Sequence, residues 1–395
     1  MQAMHRSLRL LPTLCVGATL SAAALAQEPS QSSSVAAFAS RPTIESLEPE
    51  ERRIWSEADD LDRRLRRQRL TIDEKSVVAY LQALIDKLYP ELGGALRVKV
   101  IDEPEMNAFA LPNGSVYVNL GLLARIENES QLATVLGHEG AHFAQRHGYQ
   151  KRQTAKSGTA VALGAGVLLG PILGTVTSGA VLSSIFGFSR EMEREADRIG
   201  YERLVQNGFD REQSARVFAL IADEAKALDS KEQGRFASHP ELVERINSFR
   251  ELIDTSIGAR IEATASDTFE HLMRPLRVVW LERALARAKY ASVLYVLGRE
   301  GAEARFPAHA PYYLGEAYRM RGQEGDAGRA IEAYRRAIAA APAFGETYRA
   351  LGTMHLKAGQ KTEAREALER YLTLVPDSPH GRFVKQYLRQ LEEKQ

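Results

Sequence analysis

The sequence predicts an α+β, helix-rich domain followed by an all-α repeat domain. Three observations predict it. β-like runs are confined to residues 96–119, with amphipathic helical patterns on both sides. The C-terminal third is helical throughout and repeats itself. The chain has 395 residues, 44% of them hydrophobic and 26% charged, which suits two or three soluble domains at roughly 150 residues each. A net charge of +1 gives no basic excess for nucleic acid, so no nucleic-acid partner is expected.

The chain opens with His5, Arg6 and Arg9, an apolar run from Leu8 to Leu25, and Ala24-Leu25-Ala26 before Gln27. This reads as a signal peptide over residues 1–26, cleaved after Ala26. The expectation is export, with Cys15, the one cysteine, removed. The remaining chain then has no disulfide and relies on its core or a metal. Residues 27–43 are small and polar, a linker.

From Ser46 to Leu70 acids and bases interleave, which predicts a solvated helix face. Between Ile72 and Leu88, the residues Val77, Val78, Leu81, Leu84, Ile85 and Leu88 recur at helical spacing. Leu96–Ile101, Ala108–Leu111 and Val116–Asn119 read as strands, the last two joined by a turn at Pro112-Asn113-Gly114. A helix follows over Gln131–Arg146, with Ser130 as its N-cap and Gly148 as its stop. Residues 157–189 are uncharged and rich in glycine, compatible with a buried hairpin or flap, peripheral membrane contact, or a membrane span. Helical periodicity resumes at Arg190–Val205 and Glu212–Ala227.

Residues 257–267 read as a linker between a domain over 44–256 and a helical domain over 268–395. In the latter, Leu314-Gly315, Tyr318, Ala330, Tyr334, Ala337 and Pro342 match Leu351-Gly352, His355, Ala364, Leu368, Tyr371 and Pro376. The first helices are offset by 37 residues and the second by 34, with the insertion in the turn Gly322–Gly328. This pattern resembles the tetratricopeptide repeat, whose arrays present a concave surface to partners. Helices between Phe269 and Arg299 supply a degenerate third unit in this reading.

Chemistry concentrates in Gly137-His138-Glu139-Gly140-Ala141-His142. His138 and His142 lie one helical turn apart, so both imidazoles can reach one metal. Glu139 lies beside them, where a carboxylate can take a proton from water. Zinc needs a third protein ligand and an open position for catalysis. Glu193 and Asp197 are four apart on one helix face. That spacing can place Glu193 on the metal and Asp197 behind an imidazole, fixing its orientation.

The order Asn107–Gly114, Gly121-Leu122-Leu123, His138–His142 with Gln145-Arg146-His147, then Ser189-Arg190, Glu193 and Ala196-Asp197 resembles the zinc metallopeptidases related to CAAX prenyl protease and HtpX. With the export signal and repeats, the chain is similar to the periplasmic β-barrel assembly-enhancing branch of that family. The resemblance implies a zincin-like metallopeptidase domain holding one Zn(2+) through His138, His142 and Glu193, with Glu139 as general base. It assigns Asp197 as a catalytic acid, although the helical geometry favours the orienting role. It implies that Asn107, Ala108 and Phe109 lie on a substrate-pairing edge. Ser238-His239-Pro240 with Arg245 matches a downstream motif. It implies a regulatory fourth metal ligand at His239 and leaves Arg245 near substrate. Gly140 departs from the bulky apolar residue usual there, which could admit the 157–189 block or mark a loosened site. The implied substrates are misfolded or stalled polypeptides of the cell envelope, with β-barrel assembly components met through the repeats. The alternative is an assembly scaffold or chaperone with a latent zinc site.

Overall fold

In the computed structural model, the described residues are 35–157, 187–228, 242–256 and 266–392. The expected signal peptide, nearly all of the 157–189 block and His239 lie outside them. Helix α1 (Pro49–Arg67) carries acids in its first turn and arginines in its last, which suits the helix dipole. Its stripe of Ile54, Ala58, Leu61 and Leu65 is buried, the last three against a four-stranded sheet. The strands are β1 (Thr71–Ile72), β2 (Arg97–Ile101), β3 (Ala108–Ala110) and β4 (Ser115–Asn119). They run in the order β1-β2-β4-β3, with β2 and β4 parallel and both outer pairs antiparallel. β3 is therefore an edge.

Alternation along the strands assigns their two faces. Ile101, Phe109 and Tyr117 point to α1. Val98, Val100, Ala108, Ala110, Val116 and Val118 point to the larger core. That core includes α2 (Lys75–Leu88), α3 (Leu120–Arg125) and α4 (Glu129–Ala144). Two boundaries differ from the sequence reading. Ile72 pairs with Val100 as strand, so α2 begins three residues later. Asn128, whose side chain accepts from Gln131 N at 3.0 Å, caps α4 in place of Ser130. Ser130 instead accepts from Asp210 N.

Beyond α4 come α5 (His147–Ser157), α6 (Arg190–Gln206), α7 (Glu212–Ala227) and α8 (Leu242–Thr255). Next are α9 (Asp267–Ala286), α10 (Tyr290–Gly298) and α11 (Ala302–Arg305). The repeat helices are α12 (Ala310–Arg321), α13 (Asp326–Ala340), α14 (Gly345–Lys357) and α15 (Lys361–Leu374), closed by α16 (Gly381–Glu392). No helix among the described residues is long and apolar enough to cross a membrane.

The main core does not stop at the expected linker. It continues from Val77 through Phe269, Met273 and Trp280 of α9 to Ala317 of α12. Trp280 Nε1 donates to Pro104 O at 2.9 Å, and the Arg125 guanidinium lies 4.2 Å from the Trp280 ring. Arg125 also holds Glu224 of α7 through two bonds of 2.6 Å. α9 is thus a shared wall between the sheet-bearing core and the repeats.

The charged stretch of α1 does not only face solvent. Asp62 is buried and accepts from Ser115 Oγ at 2.7 Å and from Tyr117 OH, with Lys99 Nζ at 2.7 Å. Burial pushes its carboxyl up, but Lys99 and the two hydroxyls outweigh burial and hold it below the usual range. A lowered native pKa adds stability above the unfolded value near pH 4, and that stability is lost as pH falls through the native pKa. Asp62→Asn should therefore cost about 2 kcal/mol at pH 7, measured by urea unfolding. The gap from wild type should narrow below about pH 4.

Candidate metal centre

α4 and α6 cross where both lack side chains. A Cβ on Gly200 would stand 2.8 Å from His138 N, and one on Gly137 would stand 3.1 Å from Gly200 O. The two backbones therefore approach closely beside His138. α6 starts at an N-cap, Ser189, whose Oγ accepts from Met192 N. Its buried face repeats at three and four: Glu193, Ala196, Asp197, Gly200, Tyr201 and Leu204. α4 is buried from Ser130 to Ala144.

Gly140 has its own packing reason. A Cβ there would stand 2.2 Å from the Tyr89 ring, and Tyr89 OH donates to Gly137 O at 2.5 Å. Tyr89, after α2, occupies the space that a bulky residue at 140 would need. Gly140 is a seat for that ring, and not a mark of a loosened helix.

Three donors converge. His138 Nε2 lies 3.0 Å from His142 Nε2 and 3.4 Å from Glu193 Oε2, and His142 Nε2 lies 3.6 Å from Glu193 Oε1. Among the described residues this is the set of His, Cys, Asp and Glu able to hold a metal ion. A tetrahedral ion with ligand bonds of about 2.0–2.1 Å has donor separations of roughly 3.3 Å, so the spacings fit one.

The other ring nitrogens are engaged, which turns both Nε2 lone pairs inward. His138 Nδ1 lies 2.8 Å from Asp197 Oδ1. Asp197 also accepts two bonds from Arg245 of α8, at 2.6 and 2.9 Å. His142 Nδ1 lies 2.8 Å from His147 Nδ1, and His147 Nε2 lies 3.2 Å from Glu195 Oε2. With His142 donating, both histidines have consistent tautomers and the run ends on a carboxylate. Phe188 stacks on the His142 ring at 3.9 Å. Burial and Arg245 push the His138 imidazole down, but Asp197 and Glu193 outweigh them and lift it to about 9. Burial pushes Asp197 up, while Arg245 and His138 hold it below the usual carboxylate range.

His138, Glu139, His142, Glu193, Asp197 and Arg245 thus lie together and buried. The Arg245 guanidinium donates to Asp197, its Nη2 lies 3.0 Å from His138 Nδ1, its Nη1 lies 3.6 Å from Glu193 Oε2, and the Phe218 ring lies over it at 4.0 Å. Ala108 faces the core on edge strand β3, whereas Phe109 points away and stacks on Tyr117. Asn107 is buried just before that strand. Neither His147 nor Glu195 is among the site residues expected from the sequence. The local signal was a third histidine five residues after His142. The chain turns at Arg146, φ 58°, and re-enters helix at His147, so Gly148 ends nothing.

A His-Glu-x-x-His helix crossed by a second helix bearing a glutamate defines a centre of the metallopeptidase type. The comparisons agree: residues 75–253 match Peptidase family M48, and residues 323–382 match Tetratricopeptide repeat. The chain is 35% identical over 162 residues to a putative beta-barrel assembly-enhancing protease of Vibrio cholerae, covering 38% of this chain and 33% of that one. It is 32% identical over 151 residues to the beta-barrel assembly-enhancing protease of Escherichia coli K12, covering 36% and 31%. It is 31% identical over 171 residues to the mitochondrial metalloendopeptidase OMA1 of Schizosaccharomyces pombe, covering 43% and 49%. The match thus spans about a third to a half of these relatives' lengths.

Two outcomes follow from the geometry. Gly200→Ala gains about 1 kcal/mol of helix propensity but forces the α4–α6 crossing apart, for a net loss of about 1–2 kcal/mol in chemical unfolding. His147→Ala, which frees His142 Nδ1, should weaken divalent-metal binding by about 10–100-fold in a chelator competition.

Proposed function

We propose that the chain is a zinc-dependent endopeptidase of the periplasm that cleaves misfolded or stalled envelope polypeptides. The observation that carries it is the convergence of His138, His142 and Glu193 with Glu139 adjacent on the same buried helix. These three residues would hold zinc, which when bound supplies Lewis acidity toward a peptide carbonyl and toward water. Glu139 accepts the proton of the attacking water and returns it to the leaving amine. Asp197 holds the His138 ring through Nδ1, and Arg245 keeps Asp197 ionised and in place. His147 and Glu195 do the same for His142. The edge of β3 pairs with extended substrate backbone.

The finer parts of this reading come from the domain arrangement and the relatives' names. The peptidase domain covers 44–256 and the repeats 268–395, with a signal peptide ending at Ala26. Partners are polypeptide substrates and, through the repeat surface, components of outer-membrane β-barrel assembly. His239, outside the described residues, is the candidate regulatory ligand at the open metal position, and the 157–189 block is a flap, a buried hairpin or a peripheral membrane contact. The packing of Tyr89 on Gly140 supports an intact helix at the site and favours a working enzyme over a latent scaffold.

Glu139→Gln should abolish digestion of casein, by more than about 10³-fold, while retaining bound zinc. Equal digestion by variant and wild type would reject the assignment.

A further inference from the structure

Only Gln145 and Arg146 separate α4 from α5, and Arg146 lies in the left-handed backbone region at φ 58°. Its N–H donates to Phe143 O at 2.9 Å, closing α4 in the way a glycine commonly does at a helix end. Any side chain at such a place crowds its own backbone, so an arginine keeps the conformation only where its surroundings hold it. Four groups do so. The guanidinium gives two hydrogen bonds to the buried Glu51 of α1, at 3.0 and 2.5 Å. It gives a third to Ala36 O at 3.1 Å. It also lies 5.1 Å from the Phe38 ring and 5.2 Å from the Tyr149 ring. Phe38 is itself fixed to the end of α4: its N–H donates to Ala144 O at 2.8 Å, and its ring lies against those of Phe143 and Trp55.

The reversal decides where the next residue goes. On an unbroken helix, His147 would stand about 140° around the axis from His142 and about 7.5 Å further along, out of reach of its ring. Turned back at Arg146, His147 Nδ1 lies 2.8 Å from His142 Nδ1. We propose that Arg146 is a positioning residue of the metal centre. Glu51, the Ala36 carbonyl and the rings of Phe38 and Tyr149 keep its backbone left-handed, and that turn seats His147 behind the ligand His142. The inference rests on the zinc endopeptidase reading above. A cation that only complemented the helix dipole would need no buried carboxylate and no flanking rings. Arg146 has all of these, and they come from residues 36–38, α1 and α5.

The test uses the full chain, with zinc affinity read by chelator competition and ligand geometry by the visible spectrum of the cobalt(II)-substituted protein. Arg146→Ala should weaken zinc binding by about 10-fold, as expected of a residue that supports a ligand from behind, and should alter the cobalt spectrum. In a His147→Ala background the same change should cost no further affinity, because both act through one contact. Arg146→Gly should recover wild-type affinity to within about 2-fold, together with the spectrum, since glycine takes the left-handed turn unaided. In that variant the Phe38 amide should exchange faster with solvent, the guanidinium tie to Glu51 and Ala36 being gone. Glu51→Gln keeps the arginine but loosens its hold; it should weaken zinc binding in the same direction and is the second probe should Arg146→Ala misfold. Wild-type affinity and spectrum in both Arg146→Ala and Glu51→Gln would overturn the proposal. So would losses that add to that of His147→Ala, or an Arg146→Gly chain no better than Arg146→Ala. Zinc missing from wild type itself would remove the endopeptidase reading, and the positioning role with it.

Discussion

The contact on which the rest depends is the near-touching of two helix backbones at Gly137 and Gly200. A residue with a side chain at either place would hold α4 and α6 apart, because the atoms it meets are backbone and cannot swing away. The approach places Glu193 and Asp197, two turns and one turn before Gly200, against the two histidines of α4. Four charged or ionisable groups are then buried together, an arrangement that is unfavourable unless each is paired. Arg245, His147 and Glu195 supply those pairs from three further positions on the chain. The centre is thus a small ionic cluster held by packing, and its shape is set before any ligand arrives.

Much of this was legible in the sequence because the relevant spacings are local. His138 and His142, and Glu193 and Asp197, are each four apart, so one helical turn places each pair on one face. The strands near Val98, Phe109 and Val116 were legible from alternation, and the repeat from two matching series of residues. Non-local features were not legible. The glycine crossing joins residues 63 positions apart, and the seat of Tyr89 on Gly140 joins residues 51 apart. The two-residue strand at Thr71–Ile72 has no period to detect. The contact of His147 with His142 was not legible because Arg146 adopts a left-handed backbone without being Gly or Asn, so the reversal that aims His147 at His142 has no turn residue to announce it.

The helix between Asp267 and Ala286 changes how the two halves relate. Its Trp280 and Arg277 are fully buried, and Arg277 ties Glu270 to the carbonyl of Arg305. Because this helix packs both on α3 and on α12, repeat and peptidase segments share one apolar core. Within that core, Arg125 and Glu224 join the helix after the sheet to α7.

The most direct measurement is X-ray absorption at the zinc edge on the purified chain, beside metal analysis of wild type and Glu193→Ala. The account predicts one zinc per chain with imidazole nitrogen and carboxylate oxygen neighbours at about 2.0–2.1 Å, and marked loss of occupancy in the variant. Metal-free wild type after careful zinc loading, or equal occupancy with and without Glu193, would contradict it.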